Sequence, residues 1–164
     1  MENWFFYACL WLGFVSAMVA GVFQSFSDFV MAGLERAKPS AGIESMQQIN
    51  RTVCRSVFLT AFLSLVPLTG GFALYAMSQV NAPGRTFVIA AAATYFVAVF
   101  VVTVAFNVPM NRQLDRLDRA SREAAAYWRT YGKVWTRWNH LRTIGSAATA
   151  ALFLLAAAAF GSAI

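Results

Sequence analysis

Metal-binding and redox-active residues are scarce in this sequence. It has one histidine, His140, and two cysteines, Cys9 and Cys54, which are far apart and form no C-x-x-C motif. These are too few for a conventional zinc site, and the Glu-x-x-His pairs of di-iron bundles do not occur. The G-x-G-x-x-G, P-loop and H-E-x-x-H motifs are missing as well. We therefore predict no metal site and interpret both cysteines as small buried apolar residues.

Charged residues are also scarce, at 12 % of the chain, whereas 59 % is apolar and the mean hydropathy is +0.57. Soluble domains typically have about 45 to 50 % apolar residues. The apolar residues form four blocks, 3–24, 56–79, 87–108 and 143–164, each at or above the roughly 20 residues that cross a bilayer as a helix. Because lipid cannot satisfy backbone polar groups, the spans must be helical. The sequence predicts an all-α protein, a bundle of four transmembrane helices with helical cytoplasmic extensions, in a single domain 1–164.

The basic residues are unevenly distributed. Twelve of the thirteen lysines and arginines lie in or beside the first and third connections, and Arg85 alone belongs to the second. The positive-inside rule then makes the first and third connections cytoplasmic and puts both termini outside. We predict an integral protein of a bacterial inner membrane, with the lipid bilayer as its partner and a homo-oligomer left open. The net charge of +6 needs no nucleic acid to explain it.

Helical patterns extend into both cytoplasmic connections. Lys38-Pro39-Ser40 is typical of a turn, with Ser40 as the N-cap of a helix that enters the second span from near Ala41. Pro109 suits the first turn of another helix. Ser121 and Glu123 are typical of the start of a helix that continues without a break into the fourth span.

Polar residues gather where the spans meet the cytoplasmic connections. They are Asp28 after the first span, Asn50 and Arg51 before the second, Asn107 and Asn111 around Pro109, and Trp135, Trp138, Asn139, His140 and Arg142 before the fourth. An interfacial belt explains the tryptophans and Arg142, a boundary ion pair explains Asp28, and a lone histidine is more often structural than catalytic. Asn139 is different, because a buried amide needs partners. We expect six of these residues to converge at the cytoplasmic end of the bundle, although His140 lies about 100° around the helix from Asn139. The six are Asn50, Arg51, Asn107, Asn111, Asp28 and His140.

Four segments carry a resemblance to a known family. They are "FSDFVM" (26–31), "MQQINR" (46–51), "FNVPMN" (106–111) and "WTRWNHLRT" (135–143). Together they resemble the anthrone oxygenase-like family of small four-helix membrane proteins, over nearly the whole chain. Ala32-Gly33 departs from the family pattern, in which a proline is expected. The resemblance implies a monooxygenase that uses O2 and no obvious cofactor to oxidise an anthrone, a small flat aromatic ketone.

The residue roles that the resemblance implies follow from the acidity of an anthrone C–H bond. A base forms the enolate, hydrogen-bond donors hold its oxygen, and aromatic walls hold its rings. The base would be His140, oriented by Asp28; the donors Asn107, Asn111 and Asn139; the walls Trp135 and Trp138; and further substrate-binding residues Asn50, Arg51 and Arg142. Two alternatives remain, a membrane protein that binds haem b or a quinone through His140, and a noncatalytic membrane module.

Overall fold

The computed structural model describes residues 2–80 and 84–161, which form five helices and no strand. α1 consists of Glu2–Ser25, a π-helical turn at Phe26–Val30 and Met31–Arg36; α2 is Pro39–Val53; α3 is Val57–Gln79; α4 consists of Gly84–Thr94, the π-helical turns Tyr95–Val101 and Thr103–Asn107, and Val108–Asp115; α5 is Arg122–Gly161. The all-α prediction is confirmed.

Four of these helices are long and apolar enough to cross a membrane. The candidate spans are Trp4–Arg36, Val57–Ser78, Gly84–Asp115 and Arg122–Gly161. Each overlaps one of the four predicted blocks, and three of them extend beyond the predicted bounds, so the predicted bundle of four long apolar helices is confirmed in its number and order. The predicted end of the last block, 162–164, lies outside the described residues. The assignment of the whole chain to one domain stays a prediction.

The bundle is organised around α5, which packs antiparallel to α1. Near its middle, Gly13 of α1 lies against Ala150 and Phe153 of α5. α4 also approaches α5 closely, because a Cβ atom at Gly145 would lie 2.8 Å from the Cβ of Ala98. Small residues at these contacts let the helix axes come together, as is common between membrane helices.

The short helix α2 closes one end of the bundle, which we call the arginine-rich end: the last turns of α1 and α4, all of α2 and the first half of α5. A second apolar cluster, which includes Ile43, Leu114 and Trp128, lies here. The buried Gln47 side chain donates to the carbonyls of Leu114 at 2.9 Å and Leu117 at 3.0 Å. Gln47 thus ties α2 to the backbone at and just after the end of α4.

Three local predictions need correction. The helix from Ala41 does not continue into the second span, because Ser56 is extended (φ −95°, ψ 152°), and its hydroxyl accepts from Leu59 N and caps α3. Lys38, and not Ser40, is the N-cap of α2. Cys54, in the break between α2 and α3, is exposed, whereas Cys9 is buried as predicted.

The structure also tests the helix starts predicted at Ser121 and Pro109. Ser121 accepts from Ala124 N at 3.0 Å, and α5 then runs unbroken to Gly161, as predicted. Pro109 lies in the first turn of the α-helical segment Val108–Asp115, as predicted, and this segment continues α4 after the π-helical turn Thr103–Asn107. A proline ring crowds the carbonyl four residues earlier, and a wider turn at that position relieves the conflict.

Candidate functional site

A cavity of about 480 Å³ lies at the arginine-rich end and is lined by residues from all five helices. Its volume is in the range of roughly 300 to 1,000 Å³ typical of small-molecule sites. Most of its wall is apolar, with aromatic side chains at Phe23, Phe26, Phe58, Phe62 and Trp135. Two of the π-helical turns, Phe26–Val30 and Thr103–Asn107, lie beside it, and such turns often occur at functional sites.

Six of the predicted site residues line this cavity. They come from three separate parts of the chain: Asn50 and Arg51 from α2, Asn111 from α4, and Trp135, Asn139 and Arg142 from α5. The structure therefore brings these six residues together as expected. Their roles in binding or catalysis stay predictions.

Arg142 is a buried cation in the cavity wall. Its residue is only 5 % exposed, and its guanidinium carbon lies 4.3 Å from the ring centre of Phe23 and 5.1 Å from that of Trp135. Its Nη2 donates to Asn139 Oδ1 at 2.6 Å, and its Nε is buried without a hydrogen-bond partner. Within residues 2–80 and 84–161, no carboxylate forms an ion pair with it. Two rings and one neutral amide therefore hold the guanidinium in place.

The Asn139 side chain is fully used by the protein itself. Its amide nitrogen donates to the carbonyl of Phe23 and to Ser27 Oγ, both at 2.7 Å, and its oxygen accepts from Arg142. Since neither amide hydrogen is free, the geometry does not favour the predicted role of Asn139 as an enolate donor. It indicates a residue that joins α1 to α5 and orients Arg142.

Asn111 is oriented by two donors from α5. Its Oδ1 accepts from the Tyr131 hydroxyl at 2.8 Å and from Trp135 Nε1 at 2.7 Å. Because both partners are donors, the atom that they contact must be the amide oxygen and not the nitrogen. The Nδ2 group of Asn111 makes no hydrogen bond within the described chain. Asn111 therefore lines the cavity with an amide that has a donor to spare, and its use as an enolate donor stays a prediction.

Asn107 is buried beside the cavity and not in its wall. Its Nδ2 donates to the carbonyl of Trp135 at 3.2 Å, whereas its Oδ1 is buried without a partner. Asn107 therefore joins α4 to α5, and its predicted role as an enolate donor stays a prediction without the support of cavity contact. The asparagine that reaches the cavity is Asn111, one helical turn later.

His140, Asp28 and Trp138 do not line the cavity. His140 and Asp28 are both exposed, and the Trp138 ring stacks on Phe106, 3.7 Å away and at 8°. Helix geometry explains why His140 is exposed, because consecutive residues point about 100° apart and the preceding residue, Asn139, faces inward. The structure thus does not bring His140 and Asp28 into the pocket where convergence was expected, and the predicted wall residue Trp138 also lies outside the cavity. The catalytic base and the haem ligand predicted at His140 stay untested, and neither has the support of cavity contact.

Sequence reasoning missed the acidic residue of the site. Asp115 is the one carboxylate among the cavity-lining residues of the described chain, and its Oδ1 lies 2.8 Å from Arg51 Nη2. It follows Asn111 by four residues, which puts both on one face of α4. That spacing was the available signal. Phe23, which stacks on Arg142, gave no signal beyond being one apolar residue among many.

Comparison with known proteins identifies the family. A family model described as anthrone oxygenase matches residues 45–152, about two thirds of the chain. The chain belongs to the anthrone oxygenase family. The match supports the resemblance carried by the 46–51, 106–111 and 135–143 segments and includes most of α2, all of α3 and α4, and α5 as far as residue 152. No curated protein and no solved structure matches the chain.

Proposed function

We propose that this anthrone oxygenase family member uses O2 to oxidise a flat aromatic ketone of the anthrone type, bound in the cavity at the arginine-rich end. One observation carries the proposal: all the polar residues that line the cavity in the described chain belong to the segment 45–152 that matches the family. An apolar cavity with a few fixed polar groups suits a rigid, mostly apolar ligand with one or two oxygen atoms.

The reaction begins with loss of a proton from the CH2 group opposite the ketone, which leaves an aromatic enolate. This anion gives one electron to O2, and the resulting radical and superoxide combine to form a C–O bond and, after protonation, a hydroperoxide. Loss of the remaining C–H proton breaks the O–O bond, so that the carbon becomes a second carbonyl and water leaves. One O2 is consumed and one oxygen atom enters the product, with all electrons supplied by the substrate. The proposal therefore calls for no cofactor.

The cavity residues suit the first step. The rings of Phe23 and Trp135 form apolar walls, and Asn111 Nδ2 supplies a donor for the enolate oxygen. Asp115 is the proposed base. Both Arg51 contacts fall on its Oδ1, at 2.8 and 2.9 Å, which leaves Oδ2 outside this pair. The ion pair holds the carboxylate at the cavity, and a general base must lie within hydrogen-bond reach of the proton that it removes.

The proposed setting is a bacterial inner membrane, with the arginine-rich end on the cytoplasmic side. Most arginines and lysines lie at this end, which is the side that the positive-inside rule makes cytoplasmic. A cavity at the membrane boundary can receive an apolar aromatic substrate from the bilayer and O2, which also concentrates in lipid.

The test is anthrone oxidation by purified protein in detergent, followed through O2 uptake and quinone absorbance, with protein-free detergent giving the spontaneous rate. Ile49→Trp places a bulky ring in the cavity wall, and Ile144→Trp places the same ring at a position that is 66 % exposed. We expect wild type and Ile144→Trp to exceed the spontaneous rate, and Ile49→Trp to approach it. Wild-type protein with no effect on the rate would contradict the proposal.

A further inference from the structure

Arg142 carries a positive charge into the cavity wall that the described protein does not neutralise. Burying an unpaired cation in a protein is strongly unfavourable. Ionisable residues within membrane helices usually mark a functional site. The partner that orients Arg142 is the neutral amide of Asn139, at 2.6 Å. An asparagine here fixes the direction of the guanidinium and leaves its charge intact.

The other charged groups of the cavity do not supply the missing anion. Among the described lining residues, the charged side chains are Arg51, Arg112 and Asp115 besides Arg142. Asp115 already pairs with Arg51, so positive charge is in excess. The nearby Tyr131 hydroxyl is a neutral donor that bonds to Asn111.

We infer that the cavity binds its ligand as an aromatic oxyanion, a phenolate or an enolate, whose negative oxygen lies against the Arg142 guanidinium in the cavity wall. The inference rests on the proposed function only in using the same cavity. The described protein gives this guanidinium one hydrogen bond, to Asn139, leaves its Nε without a partner and supplies no carboxylate, so a charge-assisted hydrogen bond from the guanidinium to the ligand oxygen would offset its charge. The ligand class is therefore acidic hydroxyaromatic compounds, and hydroxylated quinone products would bind as well and inhibit the protein.

The test uses two flat two-ring probes, umbelliferone, which has an ionisable hydroxyl, and its methyl ether, 7-methoxycoumarin, which has none. The excitation spectrum of umbelliferone distinguishes phenol from phenolate, so a pH titration with wild-type protein in neutral detergent gives its ionisation midpoint when bound. A cation at hydrogen-bond distance should lower this midpoint by about 1 to 2 pH units. The phenolate should bind roughly 10- to 150-fold more tightly than the methyl ether.

Three variants locate the effect. Arg142→Met should abolish both the shift and the preference, and Arg142→Lys should retain part of each, because it keeps the charge. Arg137→Met is the matched control: Arg137 is exposed on the same helix and outside the cavity wall, so its loss reports only the general positive field. This variant should behave as wild type.

An unshifted midpoint in wild-type protein, equal binding of both probes, or a normal shift in Arg142→Met would overturn the inference. If Arg142→Met does not fold, the wild-type titration and the Arg142→Lys variant still test the inference. The two proposals fail separately. Phenolate binding without anthrone oxidation would contradict the proposed function alone, and oxidation without phenolate preference would contradict this inference alone.

Discussion

Arg51 and Asp115 join α2 to α4 across the polar rim of the cavity. Nη2 and Nε of Arg51 lie 2.8 and 2.9 Å from the same carboxylate oxygen of Asp115. Both side chains are about half exposed, at 54 % and 42 %, so the pair contributes little to stability. The ion pair instead holds the carboxylate of Asp115 in position at the cavity.

Replacing Asp115 by asparagine should lower anthrone turnover by roughly 10²- to 10⁴-fold, the usual contribution of a general base. His140→Ala should leave turnover close to wild type, because His140 is exposed and outside the cavity wall. Initial rates of O2 uptake with saturating anthrone measure both effects.

A control separates loss of the base from loss of the ion pair. Arg51→Met removes the same pair but keeps the carboxylate, and it should cost far less activity than Asp115→Asn. The opposite ranking, with His140→Ala inactive and Asp115→Asn active, would return the base to His140, as predicted from the sequence.

Asn139→Asp should remove phenolate binding; aspartate keeps the size of the side chain but loses the donor to the Phe23 carbonyl, so thermal unfolding in detergent first checks that the variant is folded. In the wild type, Arg142 Nη2 lies 2.6 Å from Asn139 Oδ1. In the variant a carboxylate would lie there and would neutralise the positive charge that the ligand uses. We expect the affinity for umbelliferone phenolate to fall roughly 10- to 150-fold, as in Arg142→Met, whereas the affinity for 7-methoxycoumarin stays the same. Isothermal titration at a pH where the probe is ionised measures this. Unchanged phenolate affinity would mean that Arg142 is not the group recognised.

Much of the fold could be predicted from the sequence, because apolar block length decides whether a helix can cross a bilayer. The four spans were found in this way. The break at Ser56 and the π-helical turn before Pro109 could not be, since each depends on local backbone geometry that has no periodic signal. Ser56 is a single capping residue inside a continuous helical pattern.

The candidate site was only partly predictable for a related reason. Asn111, Asn139 and Arg142 are polar residues at the ends of apolar blocks, and that contrast identified them. Whether such a residue faces the cavity depends on the rotation of its helix, which neighbouring helices set. His140 and Asn139 are adjacent, yet one is exposed and the other is fully buried.

The orientation of the bundle can be tested independently of function. A reporter that is active only in the cytoplasm should be active when inserted after Ala120, in the connection between α4 and α5, because this connection is rich in arginine. The same reporter inserted after Asn81, in the second connection, should be inactive. Reversed activities would mean that the arginine-rich end, and the cavity with it, lies outside the cytoplasm.

Gly42→Ala should destabilise the arginine-rich end. A Cβ atom at Gly42 would lie 2.5 Å from the backbone oxygen of Leu34 and 3.1 Å from Trp128 Cζ2. A backbone oxygen cannot rotate away as a side chain can, so α1 and α2 must move apart, at a cost of about 1 to 3 kcal/mol. Gly33→Ala is the matched control, because nothing lies within 4 Å of its added Cβ, and alanine should stabilise a helix there by up to about 1 kcal/mol. Thermal unfolding in detergent should therefore give a lower midpoint than wild type for Gly42→Ala and an equal or higher one for Gly33→Ala. Equal midpoints for the two variants would show that α2 is not held against α1 as closely as this contact requires.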